Sequence, residues 1–251
     1  MDDLLGNLVN HSSKCTGFAD DFSAISSGID LSTTVNLAQN IINIAIKWGE
    51  KHSLQFSPQK SCAMIYTKKR LQNTPKLTIS GTPIEFVQST KYLGITIDNN
   101  LNFNEHITEK TKKAKRTLTM ARRAVGPRWG INPKTTTWIH NAIIKPMITY
   151  GAVIWAHKIT KTNAVHLEQV QRLACLLITG AMRTTPTKGM EIILNLISLD
   201  LFCQQEALQS WWRIQHKISR PNWDGITKYK NTYGHQRYWT NIMSSENLLL
   251  M

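Results

Sequence analysis

The hydrophobic periodicity of the chain changes near Asp98, and this change limits the possible folds more than any other feature. Before Asp98, short apolar runs alternate with turn residues, as is typical of strands, and residues 31–48 follow the helical period. After Asp98, apolar residues recur every three or four positions in segments separated by Gly and Pro. The sequence therefore predicts an α+β region followed by an all-helical region.

The first region contains an acidic pair, Asp20-Asp21, between two short apolar stretches. This pattern predicts two strands joined by a tight turn that carries both carboxylates. The helix over residues 31–48 follows, with Asp30 or Ser32 as its N-cap. Strands are predicted within residues 14–26, at 62–67 and within 77–97, where Ser80-Gly81-Thr82-Pro83 separates them.

The second region begins with a helix that Asn104 can cap. Its apolar positions are spaced alternately four and three: Ile107, Thr111, Ala114, Leu118, Ala121 and Val125. Three cations lie opposite this stripe, namely Lys112, Arg116 and Arg123. Four more lie on its flanks, namely Lys110, Lys113, Lys115 and Arg122. Gly126-Pro127 is expected to end the helix.

Further helices are predicted to the end of the second region. Asn132-Pro133 supplies a cap and a first-turn proline, and Pro146 should bend or break the helix that follows. Residues 162–177 form the next helix, with Gly180 as its C-terminal stop, and two more begin at Thr185-Pro186 and Asp200. We expect the tryptophans, including Trp211-Trp212, to belong to the core.

The charge of the chain is strongly basic and unevenly distributed. The 251 residues contain 30 Lys and Arg against 16 Asp and Glu, a formal net charge of +14. Residues 51–130 hold fifteen of these cations and four of the acids, whereas residues 1–50 are acidic. Such a surplus indicates a polyanionic partner, most often nucleic acid, although solvated charged faces would give the same counts. No stretch approaches the roughly 18 apolar residues of a membrane span, so no membrane partner is expected.

The pair Asp20-Asp21 is a candidate metal site. Adjacent carboxylates repel each other, so a cation beside them would stabilise the turn. Mg²⁺ prefers carboxylate and phosphate oxygen, and two such ions about 4 Å apart support phosphoryl transfer. The alternative is a solvated turn, because Asp-Asp is an ordinary turn dipeptide.

Six motifs in order resemble the reverse transcriptases of non-LTR (LINE, jockey-like) retrotransposons. Phe18-Ala19-Asp20-Asp21 is similar to their catalytic strand-turn-strand, where an aromatic and a variable residue precede two aspartates. The resemblance covers residues 14–215, and its motifs lie at residues 16–21, 46–49, 54–62, 91–95, 148–155 and 169–186. The family implies an RNA-directed DNA polymerase that acts on an RNA template and on an RNA/DNA hybrid or primer duplex.

The resemblance also implies individual roles. Asp20 and Asp21 match the metal-binding pair of the palm, and Lys60 matches the lysine that protonates departing pyrophosphate, unless it is a surface lysine at a turn. Tyr92, Leu93 and Gly94 match the primer grip, for which the alternative is ordinary strand packing. The cationic helix matches the thumb, whose Lys and Arg contact the phosphates of the duplex.

The resemblance further implies the domain organisation. Residues 1–98 would be a partial palm with antiparallel strands and a covering helix. Residues 99–150 would be a helical thumb and 151–220 a helical connector, followed by a loosely ordered tail at 221–251. The family carries a third catalytic aspartate and the fingers before the Asp-Asp hairpin, and neither is recognisable before Lys14. We therefore expect weak or absent Mg²⁺ binding and no polymerase activity from this chain alone.

Two other interpretations remain open. The chain is either a non-catalytic basic nucleic-acid-binding module that retains the thumb, or a helical scaffold with an incidental acidic hairpin. No small-molecule cofactor is expected beyond the deoxynucleoside triphosphate of the whole enzyme. We expect an intracellular location, which the family resemblance would make nuclear.

Overall fold

The computed structural model describes residues 4, 13–67, 75–123, 131–218 and 246–250. These residues form two units, each described by itself. The first runs to Leu101 and includes the strand Glu246–Leu250, and the second runs from Asn102 to Ile218. The strands lie in the first unit and the described part of the second is helical, which confirms the α+β class.

The first unit contains nine strands among its described residues. They are β1 (Ser13–Phe18), β2 (Asp21–Gly28), β3 (Cys62–Tyr66), β4 (Thr78–Ile79), β5 (Thr82–Pro83), β6 (Glu85–Phe86), β7 (Ser89–Tyr92), β8 (Ile95–Asp98) and β9 (Glu246–Leu250). Five of them form one sheet in the order β1-β2-β9-β3-β6. The pairs β4-β5 and β7-β8 are separate antiparallel hairpins.

One pair of the main sheet departs from the predicted antiparallel arrangement. Strand β3 pairs in parallel with β6, with Cys62 opposite Glu85. Parallel neighbours require a crossover connection, and the chain between them passes through the hairpin β4-β5 on its way.

Strand β9 lies within the segment 221–251 that the sequence analysis expects to be a loose tail. It pairs antiparallel with β2 on one side and with β3 on the other, so residues 246–250 lie in the middle of the sheet. This pairing could not be foreseen, because the partner strands are distant in sequence and leave no local pattern. Residues 221–245 and 251, the rest of that prediction, lie outside the described residues.

Helix α1 (Leu31–Lys51) covers this sheet and confirms the predicted helix. Asp30 is its N-cap, because its carboxylate accepts hydrogen bonds from the backbone N–H of Thr33 at 3.0 Å and from Ser32 Oγ. These bonds, that of the Ser32 hydroxyl first, lower the Asp30 pKa to about 2. The helix buries Ile41 and Ile42 against the sheet, each contributing about 2 kcal/mol of hydrophobic stabilisation.

Seven α-helices form the described part of the second unit. They are α2 (Asn104–Arg123), α3 (Pro133–Ile139), α4 (Lys145–Thr149), α5 (Ala152–Trp155), α6 (Lys161–Thr179), α7 (Thr187–Ile193) and α8 (Leu199–Ile218). Asn132 caps α3 through Thr135 N–H, and Gly180 ends α6 at a φ of 66°, both as predicted. The predicted break at Pro146 is a π-helical turn, His140–Ile144, directly before α4.

Candidate catalytic cavity and cationic helix

The hairpin β1-β2 places Asp20 and Asp21 at one end of the sheet. Phe18 pairs with Asp21, which leaves Ala19 and Asp20 as the two turn residues. Ala19 has a φ of 54°, and a positive φ at the first central position is typical of a type II′ hairpin turn. The predicted strand-turn-strand is therefore confirmed, and both aspartates are exposed.

A cavity of about 410 Å³ within the first unit joins residues that are distant in sequence. Asp20, Asp21, Lys60 and Tyr92 all line it. Two of these residues come from the hairpin β1-β2, one from the turn before β3 and one from the hairpin β7-β8. The fold thus places Asp20, Asp21, Lys60 and Tyr92 around the same cavity.

Lys60 lies in a hydrogen-bonded turn that leads into β3. The backbone N–H groups of Lys60 and Ser61 donate to the carbonyl oxygen of Ser57 at 3.3 and 3.1 Å, and Ser61 Oγ donates to the same oxygen at 2.8 Å. The Lys60 side chain is exposed and makes no ion pair or hydrogen bond with the described residues. Its ammonium group is thus available to an anion in the cavity.

The hairpin β7-β8 carries the predicted grip residues. Tyr92 pairs with Ile95, and Leu93 and Gly94 form the turn with φ values of 47° and 79°. Two positive φ values are typical of a type I′ turn, in which glycine at the second position avoids strain. Leu93 lies at the hairpin tip and is 37% exposed.

A hydroxyl chain connects the two hairpins. Ser23 Oγ donates to Tyr92 Oη at 3.1 Å and lies 2.6 Å from Thr16 Oγ1. Ser23 is buried and follows the acidic pair by two residues. Ser23 has no local signal in the sequence, because its partner Tyr92 is 69 residues away.

The two carboxylates of the cavity fit a mode of Mg²⁺ binding in which substrate phosphates and water complete the coordination. Among the described residues, neither the Asp20 nor the Asp21 carboxylate has a cation or hydrogen-bond donor as partner. Mg²⁺ is commonly held by one or two carboxylates together with substrate phosphates and water. No group of three His, Cys, Asp or Glu side chains that could hold a metal occurs in the described parts of the chain.

Helix α2 presents its cations away from its buried stripe. Ile107, Thr111, Ala114 and Leu118 are buried as predicted. Five of the seven predicted cations are exposed: Lys112, Lys113, Arg116, Arg122 and Arg123. The other two are half-buried, with Lys110 Nζ 5.5 Å from the centre of the Tyr150 ring and Lys115 Nζ donating to Gln169 Oε1 at 2.7 Å. The expected helix end at Val125, Gly126 and Pro127 lies outside the described residues.

The described tryptophans range from buried to exposed, with Trp48 half-buried against the core of the first unit, which corrects the prediction that they all belong to the core. Trp155 is 1% exposed and its indole N–H donates to the carbonyl oxygen of Tyr150 at 3.0 Å. Trp212, in contrast, is 59% exposed, and Trp138 and Trp211 are exposed as well. Helix α8 buries Leu199 and Cys203 on one face, and position 212 falls on the other.

The described residues include no helix that is both long and apolar enough to cross a bilayer.

Comparison with known proteins shows similarity to the proteins of non-LTR retrotransposons. The chain is 25% identical over 215 residues to "Retrovirus-related Pol polyprotein from type-1 retrotransposable element R1" of Nasonia vitripennis, which covers 82% of this chain and 63% of that protein. It is 24% identical over 174 residues to "RNA-directed DNA polymerase from mobile element jockey" of Drosophila melanogaster, which covers 69% of this chain and 19% of that protein. No protein-family model and no solved structure matches.

These relatives confirm the resemblance drawn from the motifs: the homologues of this chain are Pol and reverse transcriptase proteins of R1 and jockey elements. The chain spans less than two thirds of the length of the relatives it matches. An R1 protein of Bradysia coprophila, for example, is matched over 85% of this chain and 21% of its own length.

Proposed function

We propose that the chain is part of an RNA-directed DNA polymerase of a non-LTR retrotransposon. In this proposal the first unit is a partial palm, α2 is the thumb helix that binds the primer duplex, and the later helices are a connector. The observation that supports it most is the cavity that joins Asp20, Asp21, Lys60 and Tyr92. The same four residues match catalytic and primer-binding positions of the family, although they come from three separate parts of the chain.

Each cavity residue has a role in nucleotidyl transfer. Asp20 and Asp21 would hold Mg²⁺, which neutralises the charge of the phosphates when bound. The primer 3′ hydroxyl loses its proton to solvent as its oxygen bonds to the α-phosphorus of the incoming nucleotide, and the bond from that phosphorus to the bridging oxygen breaks to release pyrophosphate. Lys60 donates a proton to the departing pyrophosphate, and a protonated amine close to that oxygen lowers the barrier of the step. Tyr92, Leu93 and Gly94 hold the primer end at the hairpin tip.

Helix α2 supplies affinity for the duplex. Its exposed cations neutralise phosphates of the template–primer hybrid, which gives binding without sequence preference. The buried stripe fixes the helix on the second unit, so these charges keep their spacing.

Localised cleavage by Fe²⁺ in place of Mg²⁺ tests the metal role of the acidic pair. With ascorbate and peroxide, bound Fe²⁺ generates radicals that cut the polypeptide next to the metal and cut a bound primer near its 3′ end. We expect both cuts in the protein bound to an RNA template–DNA primer, and the loss of both in Asp20→Asn. Glu85→Gln, which removes another exposed carboxylate of the same unit, should leave them unchanged. Cleavage that is equal in Asp20→Asn would contradict the proposal.

Catalysis by the chain alone is expected to be absent. Affinity for Mg²⁺ rises with the number of protein ligands, and the described residues bring two carboxylates to the cavity. Primer extension on an RNA template with purified protein and Mg²⁺ should give no product. If the wild type makes product and Asp20→Asn does not, the chain contains a complete catalytic centre and this expectation is wrong.

The second candidate is a nucleic-acid-binding module without chemistry, and the five exposed cations of α2 favour it. It predicts duplex binding without Fe²⁺ cleavage at the hairpin, so the cleavage experiment separates the two functions.

A further inference from the structure

A second cavity, of about 230 Å³, lies within the helical unit and belongs to none of the roles above. Its apolar lining comes from Leu173, Leu176 and Leu177 near the end of α6, and the guanidinium-bearing residues Arg122 and Arg183 line it as well. Gly180 and Ala181 complete the lining, and a Cβ added at Gly180 would meet no atom within 4 Å. The cavity is therefore leucine-lined, open on the side of Gly180 and flanked by two cations.

The position of this cavity follows from the parallel packing of α2 and α6. Asn163 Nδ2 donates to Asn104 Oδ1 at 2.7 Å at the start of both helices, and Lys115 donates to Gln169 further along. The two helices therefore run in the same direction. The C-terminal end of α2, at Arg122, and the end of α6 meet at the cavity.

The segment that carries Arg183 is held in place by hydrogen bonds. The Arg172 guanidinium donates to the carbonyl oxygens of Arg183 and Thr185, and to Thr187 Oγ1 at 2.8 Å. These bonds use only the backbone of Arg183, so its own side chain does not take part in them. The cavity wall is thus preformed, which reduces the entropic cost of binding a ligand.

The electrostatics of the cavity favour an anion. Both Arg122 and Arg183 are exposed, and neither guanidinium has an ion-pair or hydrogen-bond partner in the part of the chain that the structure describes. The two helix C-termini contribute roughly half a negative charge each, which the two full positive charges exceed. A ligand for this cavity would combine a negative group with an apolar body.

We propose that this cavity binds an unpaired nucleotide of a single strand that continues from the duplex on α2. The base packs on the three leucines, as bases do on apolar side chains, and its phosphate lies between the two arginines. Arg122 connects the two sites because it belongs both to the cationic face of α2 and to the cavity. This inference rests on the proposed duplex binding by α2.

The test compares two hybrids that differ only in a single-stranded extension. Fluorescence anisotropy with the full chain measures the Kd of a blunt RNA/DNA hybrid and of the same hybrid with a short single-stranded end. We expect the extension to tighten binding roughly tenfold, which corresponds to about 1.4 kcal/mol. In Arg183→Gln and in Leu176→Gln this gain should fall to about twofold or less, while the Kd of the blunt hybrid changes little.

Arg213→Gln is the matched control, because Arg213 is an exposed arginine on α8 and its loss changes the net charge equally. Thermal unfolding confirms that each variant folds. If the extension gives no gain in a protein that binds the blunt hybrid, the inference is wrong while the proposed function stands. Equal loss for both hybrids in Arg183→Gln would also overturn it, since that result indicates general attraction. If no hybrid binds in a salt-dependent manner, the proposed function itself fails.

Discussion

Ser23 couples the acidic hairpin to the hairpin that carries Tyr92. Its hydroxyl donates to Tyr92 Oη and shares a hydrogen bond with Thr16 Oγ1, and the side chain is buried. We expect Ser23→Ala and Tyr92→Phe each to lower the free energy of unfolding by about 1 kcal/mol, the net value of such a bond. The double variant should lose less than the sum, with a coupling of about 0.5–1.5 kcal/mol in urea unfolding. Strictly additive losses would show that the bond contributes nothing.

His140 makes the stability of the helical unit depend on pH. Burial, and then the positive charge of Lys145, lower its pKa from 6.5 to about 4. The folded state therefore binds fewer protons than the unfolded state between these pH values. The contribution of His140 to the free energy of unfolding is therefore fully present above pH 6.5. It falls as the pH is lowered towards 4 and then levels off, with a total loss of up to about 3 kcal/mol.

Urea unfolding at a series of pH values checks this dependence. His140→Gln cannot titrate, so its unfolding free energy should fall less than that of the wild type between pH 6.5 and 4. Parallel curves for the two proteins would mean that His140 titrates normally in the folded state.

At the level of elements, β9 closes the sheet between β2 and β3. Leu248 lies opposite Ser26 on one neighbour and Ile65 on the other. Leu248→Pro removes a backbone donor from the middle of the sheet, and each polar group left unsatisfied costs about 1–3 kcal/mol. We expect a lower urea midpoint and faster hydrogen exchange at the amides of Ser26 and Ile65. Leu248→Val, which keeps the N–H, should behave like the wild type, and unchanged exchange in the proline variant would place β9 elsewhere.

The elements with local signals could be predicted from the sequence. Helices α1 and α2 have a clear apolar period, and Asn132 and Gly180 mark helix ends through their own chemistry. Strand β9 and the contact of Ser23 with Tyr92 could not be predicted, because both depend on residues that are distant in the chain. The exposed Trp212 shows the same limit: a large apolar residue indicates burial only when a neighbouring element covers it.

For the molecule as a whole, two origins of nucleic-acid binding can be separated by experiment. One is long-range attraction by the net charge of +14, and the other is direct contact between phosphates and the cations of α2. When a protein neutralises Z phosphates on binding, the logarithm of its binding constant falls linearly with the logarithm of the salt concentration. The slope is about −0.9Z. Lys112 and Arg116 are exposed and one helical turn apart, so the double change to Gln should reduce this slope by about 2 if both contact phosphates.

Lys47 and Lys51 provide a matched control for this double change. They are also exposed and one turn apart, on α1, and their change to Gln lowers the net charge equally. Long-range attraction depends on the sum of charges and is screened within about 10 Å at 0.1 M salt, whereas a contact depends on where each charge lies. We therefore expect that, in anisotropy titrations from low to moderate salt, the α1 variant has the same slope of log K against log salt concentration as the wild type. Equal reductions in both variants would show that the duplex is attracted by the total charge and has no fixed place on α2.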